Sequence, residues 1–159
     1  MKVIFLDIDG VLNNELYLKE QYKTFSAKEM EKHPSNYISN DNIIQLNSLC
    51  DRTDASIVIS SSWRKMLSLD EIKTALLEKG FAYQDRIIGI TPELGSSTRV
   101  IDRGSEIKEW LKTNAVDKFV IIDDGDDMGN LFSYLIKTDY IFGLQEKHVF
   151  AALFILNKE

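Results

Sequence analysis

Lys2-Val3-Ile4-Phe5-Leu6-Asp7-Ile8-Asp9-Gly10 is an apolar run that ends in two carboxylates and a glycine. A run of this kind, without polar alternation, is the pattern of a strand buried on both faces, and such strands belong to parallel sheets covered by helices. The acids and the glycine place polar chemistry where the strand stops. Two later segments repeat the pattern. Ala55-Ser56-Ile57-Val58-Ile59-Ser60 leads into Ser61 and Ser62, and Lys118-Phe119-Val120-Ile121-Ile122 leads into Asp123 and Asp124.

Helical periodicity fills the intervals. Asn42 to Leu49 puts Ile43, Leu46 and Leu49 on one face, Ser68 to Lys79 follows the second run, and Ser105 to Thr113 carries Ile107, Trp110 and Leu111. A last helix is expected around Glu146 to Leu156, and a short strand near Leu135 to Thr138. Strands alternating with helices predict an α/β fold, a Rossmann-like doubly wound parallel sheet with helices on both faces. Residues 13–39 are polar and mixed, with Tyr17, Tyr22, Phe25 and Tyr37 among charges and no sustained period. They read as a flap or small insertion within a single domain spanning 1–159, too short to be a separate cap.

With 159 residues, 44% hydrophobic and 28% charged, the chain fits one globular domain. No apolar run approaches the roughly 20 residues that a membrane-spanning helix needs, so no membrane association is expected. Cys50 is the only cysteine, which excludes an internal disulfide and a thiol-bound zinc and fits a reducing cytoplasm. His33 and His148 are the only histidines. Any metal chemistry therefore falls to carboxylates, which select hard cations such as Mg2+. The net charge of −6 opposes broad attraction to nucleic acid without excluding a local basic groove. No obligate protein partner is evident.

In an open parallel sheet, ligands bind beyond the carboxyl ends of the strands. The residues expected there are Asp7 and Asp9, then Ser60, Ser61 and Ser62, then Asp123, Asp124, Asp126 and Asp127. Any one of these acids could be a turn former or a helix cap. Converging at one edge they repel one another, and a divalent cation is the usual compensation.

Asp7-Ile8-Asp9-Gly10-Val11-Leu12 after an apolar strand resembles the first motif of the haloacid dehalogenase (HAD) superfamily of phosphatases and phosphotransferases. The other motifs follow in order: Ile57-Val58-Ile59-Ser60 resembles the second, Arg103 before a helix the third, and Asp123-Asp124 the fourth. The resemblance implies a HAD-like fold with a minimal cap and Mg2+ as cofactor. Asp7 is then the nucleophile, which forms an aspartyl phosphate. Asp9 protonates the leaving oxygen and afterwards activates water, and its carbonyl oxygen joins a carboxylate oxygen of Asp7 on the metal. Members without an acid at the Asp9 position tend not to be phosphatases. Ser60 grips a phosphoryl oxygen, with Ser61 and Ser62 as possible substitutes. Arg103 is the fixed cation, a place where members more often have lysine and for which Arg99 is a rival. Asp123 and Asp124 complete the metal site, Asp124 as the closest ligand; Asp127 also stands at a spacing that the superfamily uses.

Ser61, Trp63 and Arg64 follow the second motif directly and are candidates for substrate binding: Trp63 could stack on a base and Arg64 grip a second phosphate. The competing reading packs Trp63 under the next helix and puts Arg64 in a surface ion pair. With Arg103-Gly104-Ser105-Glu106-Ile107 and Ile121-Ile122-Asp123-Asp124, this segment is similar to phosphatase domains of multidomain nucleic-acid repair proteins. The resemblance implies a phosphomonoesterase whose partner is a phosphorylated substrate, RNA or DNA ends such as polynucleotide 3′-phosphates. Phosphoproteins, nucleotides and small metabolites are the alternatives, as is a phosphate-binding module without catalysis.

Overall fold

In the computed structural model, which describes residues 1–96 and 98–158, the opening run forms the central strand. The strands are β1 (Lys2–Leu6), β2 (Ser56–Ile59), β3 (Ile87–Ile90), β4 (Lys118–Asp123) and β5 (Leu135–Lys137). They pair in the order β3-β2-β1-β4-β5, every pair parallel. β1 has a strand on either side, and its side chains from Val3 to Leu6 are buried because packed elements cover both faces of the sheet.

The helices are α1 (Glu15–Thr24), α2 (Ala27–Met30), α3 (Asn40–Asp51), α4 (Leu69–Glu78), α5 (Arg103–Lys112) and α6 (Glu146–Leu156). The period of two along the strands sorts the core into two layers. Ile4, Leu6, Ile57, Ile59, Val120 and Ile122 face α3, α4 and α6. Val3, Phe5, Val58 and Ile121 face Ile107, Trp110 and the Met128–Leu131 turn. The fold is the α/β doubly wound sheet that the alternation predicts.

Three details differ from the sequence reading. β3 was not anticipated; it is an edge strand of four residues, interrupted by Gly89 and exposed at Ile88. The 13–39 segment is ordered into α1, α2 and a turn at Pro34–Tyr37. α1 carries Leu16, Leu18 and two tyrosines among its polar residues but buries none of them, so it has no core-facing stripe to reveal it. The segment is fixed instead at particular points: Asn14 caps α1, Tyr17 donates to the Asn36 carbonyl at 2.9 Å, and Met30 and Ile38 are buried. Finally, α5 begins at Arg103 rather than Ser105, because Asp102 supplies the cap by accepting from the Ser105 N–H at 2.8 Å. No helix among the described residues is long and apolar enough to cross a membrane.

Candidate active site

The carboxyl ends of β1 and β4 lie side by side, since Asp7 N–H donates to the Ile122 carbonyl at 3.0 Å and Leu6 is in register with Ile122. That register brings Asp7 against Asp123. One oxygen each from Asp7, Asp123 and Asp124 falls within 4.8 Å of the others. The turn after β1 allows this approach: Gly10 has φ +69°, and a Cβ on it would sit 2.4 Å from the Asp124 carboxyl carbon. Only glycine fits there.

Burial pushes the Asp7 carboxyl up to about 7, reinforced by Asp123 and opposed by Arg103 and the Ser61 hydroxyl. It likewise pushes Asp123 up to about 6, against the pull of the Gly125 N–H and Arg103, and raises Asp124. Asp123 Oδ1 accepts from Gly125 N–H at 2.8 Å, but its buried Oδ2 has no hydrogen-bond partner. A buried carboxylate oxygen without a donor is costly. Three converging hard oxygen donors, one of them orphaned, fit a Mg2+ ion, which commonly takes one or two carboxylates and fills its shell with water and phosphate.

Asp9 stands beside the trio rather than in it. Its Oδ1 accepts from Asn13 Nδ2 at 2.8 Å and from Trp63 Nε1 at 3.1 Å. Asn13 also takes the Gly10 N–H on its Oδ1 at 2.9 Å, so one side chain ties the turn to the acid. Ser60 follows β2, its N–H donating to the Leu6 carbonyl at 2.8 Å, and its hydroxyl is buried without a partner. Arg103, at the start of α5, lies with Nε 3.7 Å from Asp123 Oδ2 and Nη1 3.8 Å from Glu106 Oε2. An unpartnered hydroxyl and a cation thus stand beside the carboxylates at one sheet edge.

A family model for the HAD domain in Swiss Army Knife RNA repair proteins matches residues 3–149, from the first residues of β1 into α6. The chain belongs to this HAD family. No curated protein and no solved structure matches it. Membership makes the domain phosphatase-like in kind. The match covers β1 from Val3 onward, the other four strands whole, and every site residue named above.

Within this HAD domain, several sequence expectations are redirected by packing. Arg64 is not a surface cation free to reach a phosphate. Its buried guanidinium pairs with Glu106 and donates to the Ser61 carbonyl at 2.7 Å. Trp63 is 7% exposed, and its indole N–H is committed to Asp9. Arg99 sits on an exposed turn outside the carboxylate cluster. Asp127 is drawn to α5: its Oδ2 accepts from Arg103 N–H at 3.1 Å and its carbonyl from Gly104 N–H at 3.2 Å. Two residues went unnoticed in the sequence. Asn13 looked like the first polar residue of the flap, and Glu106, the buried anchor of Arg64 and Arg103, looked like an ordinary acid in a helix's first turn; its spacing of three from Arg103 was the available clue.

Proposed function

We propose that this HAD domain is a Mg2+-dependent phosphomonoesterase that works through an aspartyl phosphate on Asp7, and that its substrates are phosphorylated polynucleotide ends, 3′-phosphates foremost. The observation that carries the chemistry is the meeting of Asp7, Asp123 and Asp124 within 4.8 Å, with Asp9 held alongside by two donors. The description of the family as RNA repair proteins supports the choice of substrate.

In the first half-reaction an Asp7 oxygen attacks phosphorus and the ester P–O bond breaks, while Asp9 gives its proton to the leaving oxygen. In the second, Asp9 takes a proton from water; the water oxygen attacks phosphorus and returns Asp7 as carboxylate with inorganic phosphate. Ser60 Oγ, free of other partners, donates to a phosphoryl oxygen throughout. Arg103 offsets the negative charge accumulating at Asp7 and on the phosphoryl group. Mg2+, held by Asp7, Asp123, Asp124 and the Asp9 carbonyl, supplies charge neutralisation and phosphate orientation when bound. Because burial raises Asp7, the neighbouring cations matter twice: they keep the nucleophile ionised as well as binding the substrate.

Phosphate release from an aryl phosphate and from a 3′-phosphorylated oligonucleotide, with Mg2+ and with chelator, tests the reading. The parent is expected to turn over both with Mg2+ only, and Asp7→Asn to lose at least about 10³-fold, some 4 kcal/mol of transition-state stabilisation. An Asp7→Asn protein as active as the parent would sink the proposal. A preference of less than about tenfold for the oligonucleotide over a phosphopeptide and common metabolites would remove its substrate half.

A further inference from the structure

We infer that a small cleft beside Arg103 is a second anion-binding subsite, and that it takes the phosphodiester next to the terminal phosphate of a single-stranded polynucleotide. This rests on the phosphomonoesterase reading and adds what the protein grips beyond the scissile group.

The cleft has a volume of about 150 Å³, and its lining includes Ser62, Lys65, Arg99 and Arg103 as well as the acids Glu106 and Asp127. That is half of the roughly 300 Å³ at which ligand pockets begin, so it accommodates one group of a larger ligand. Arg103 lines it and also lies 3.7 Å from Asp123, and Ser62 directly follows Ser60 and Ser61. Its charges are unevenly spent. Glu106 is held by buried Arg64, and Asp127 is engaged by the backbone N–H groups of Arg103 and Gly104. Arg99 is exposed and has no ion-pair partner among the described residues; Lys65 has only Glu93 at 3.5 Å, both half exposed, a pair that water screens. Two cations are therefore left facing outward in a chain whose overall charge is −6.

Arg99 is held at that rim. Its turn is closed by the backbone pair Ser96 N–H to Arg99 carbonyl, 2.9 Å, and Arg99 N–H to Ser96 carbonyl, 3.2 Å. A polynucleotide end repeats an anion one nucleotide from the terminal phosphate, which is what a cation-lined cleft abutting a phosphoryl site answers. The role expected of Arg64 in the sequence thus passes to its neighbour Lys65 and to Arg99.

The double variant Lys65→Gln/Arg99→Gln changes two exposed side chains, and an unchanged melting temperature verifies its fold. On a 3′-phosphorylated RNA hexamer, kcat/KM is expected to fall tenfold or more, and on a nucleoside 3′-monophosphate, which lacks the adjoining phosphodiester, less than threefold. The slope of log kcat/KM against log salt should flatten by about 1.4, two contacts at ~0.7 each. Equal losses on both substrates, an unchanged slope, or a loss confined to an acidic phosphopeptide would each overturn the subsite. Binding of a fluorescent hexamer to Asp7→Asn protein, read by anisotropy, separates this from the catalytic reading. A slope flattened by the double variant upholds the subsite even if the parent releases no phosphate; an unflattened slope removes it even if catalysis is intact.

Discussion

Asp9 is the residue whose surroundings are most specific. Two donors from different parts of the chain, Asn13 in the turn after β1 and Trp63 in the turn after β2, meet on its Oδ1, and in the proposed mechanism Oδ2 is the oxygen that exchanges a proton with the leaving group and with water. Trp63→Phe keeps the buried ring and removes the N–H. We expect kcat on an aryl phosphate to drop about tenfold, or 1.4 kcal/mol, with KM nearly unchanged, because the acid is mispositioned in the transition state and not in substrate binding. Steady-state kinetics check this, and an unaltered kcat contradicts it. At this scale the sequence was legible in part. Asp7, Asp123 and Asp124 could be anticipated because strand ends converge by rule. The burial of Arg64 could not, because its partner Glu106 lies 42 residues away and meets it only through tertiary packing.

The elements show why some structure was readable and some not. β1, β2 and β4 are buried runs whose composition admits little else, whereas β3 is an edge strand with a glycine and α1 a helix with no buried side. The placement of α5 depends on a close approach that composition alone does not disclose: a Cβ on Gly104 would lie 2.1 Å from the Met128 carbonyl oxygen. Gly104→Ala must therefore shift α5 away from the loop after β4, carrying Arg103 with it. We expect a loss of about 2–3 kcal/mol in stability by denaturant unfolding, the upper range for overpacking, together with weaker phosphate release. A stability within 0.5 kcal/mol of the parent, the usual range of innocuous surface changes, would contradict that close packing.

For the whole molecule, the raised carboxyls turn the site into a pH-dependent load on the fold. Asp7 titrates at 3.8 in an unstructured chain and at about 7 in place, and Asp123 at 3.8 and about 6. The folded state binds more protons between those limits, so their contribution is fully present below about pH 4 and is lost as pH rises toward 7. Metal-free protein is therefore expected to melt at a lower temperature at pH 8 than at pH 5.5. Mg2+ should close the gap by binding the ionised trio, and should do so less in Asp123→Asn. Melting curves in chelator and in Mg2+ check both; a gap that Mg2+ leaves untouched contradicts the assignment of the trio as the metal site.

Covalent capture at Asp7 is the most direct measurement of the central claim. Asp9→Asn protein, loaded with an aryl phosphate whose leaving group needs no acid, is quenched in acid and its peptides are mapped by mass spectrometry. A phosphate adduct is expected on the peptide from Lys2 onward, localised to Asp7, dependent on Mg2+ and absent from an Asp7→Asn/Asp9→Asn protein. An adduct at another residue, or phosphate release at the parent rate from Asp7→Asn protein, would contradict it.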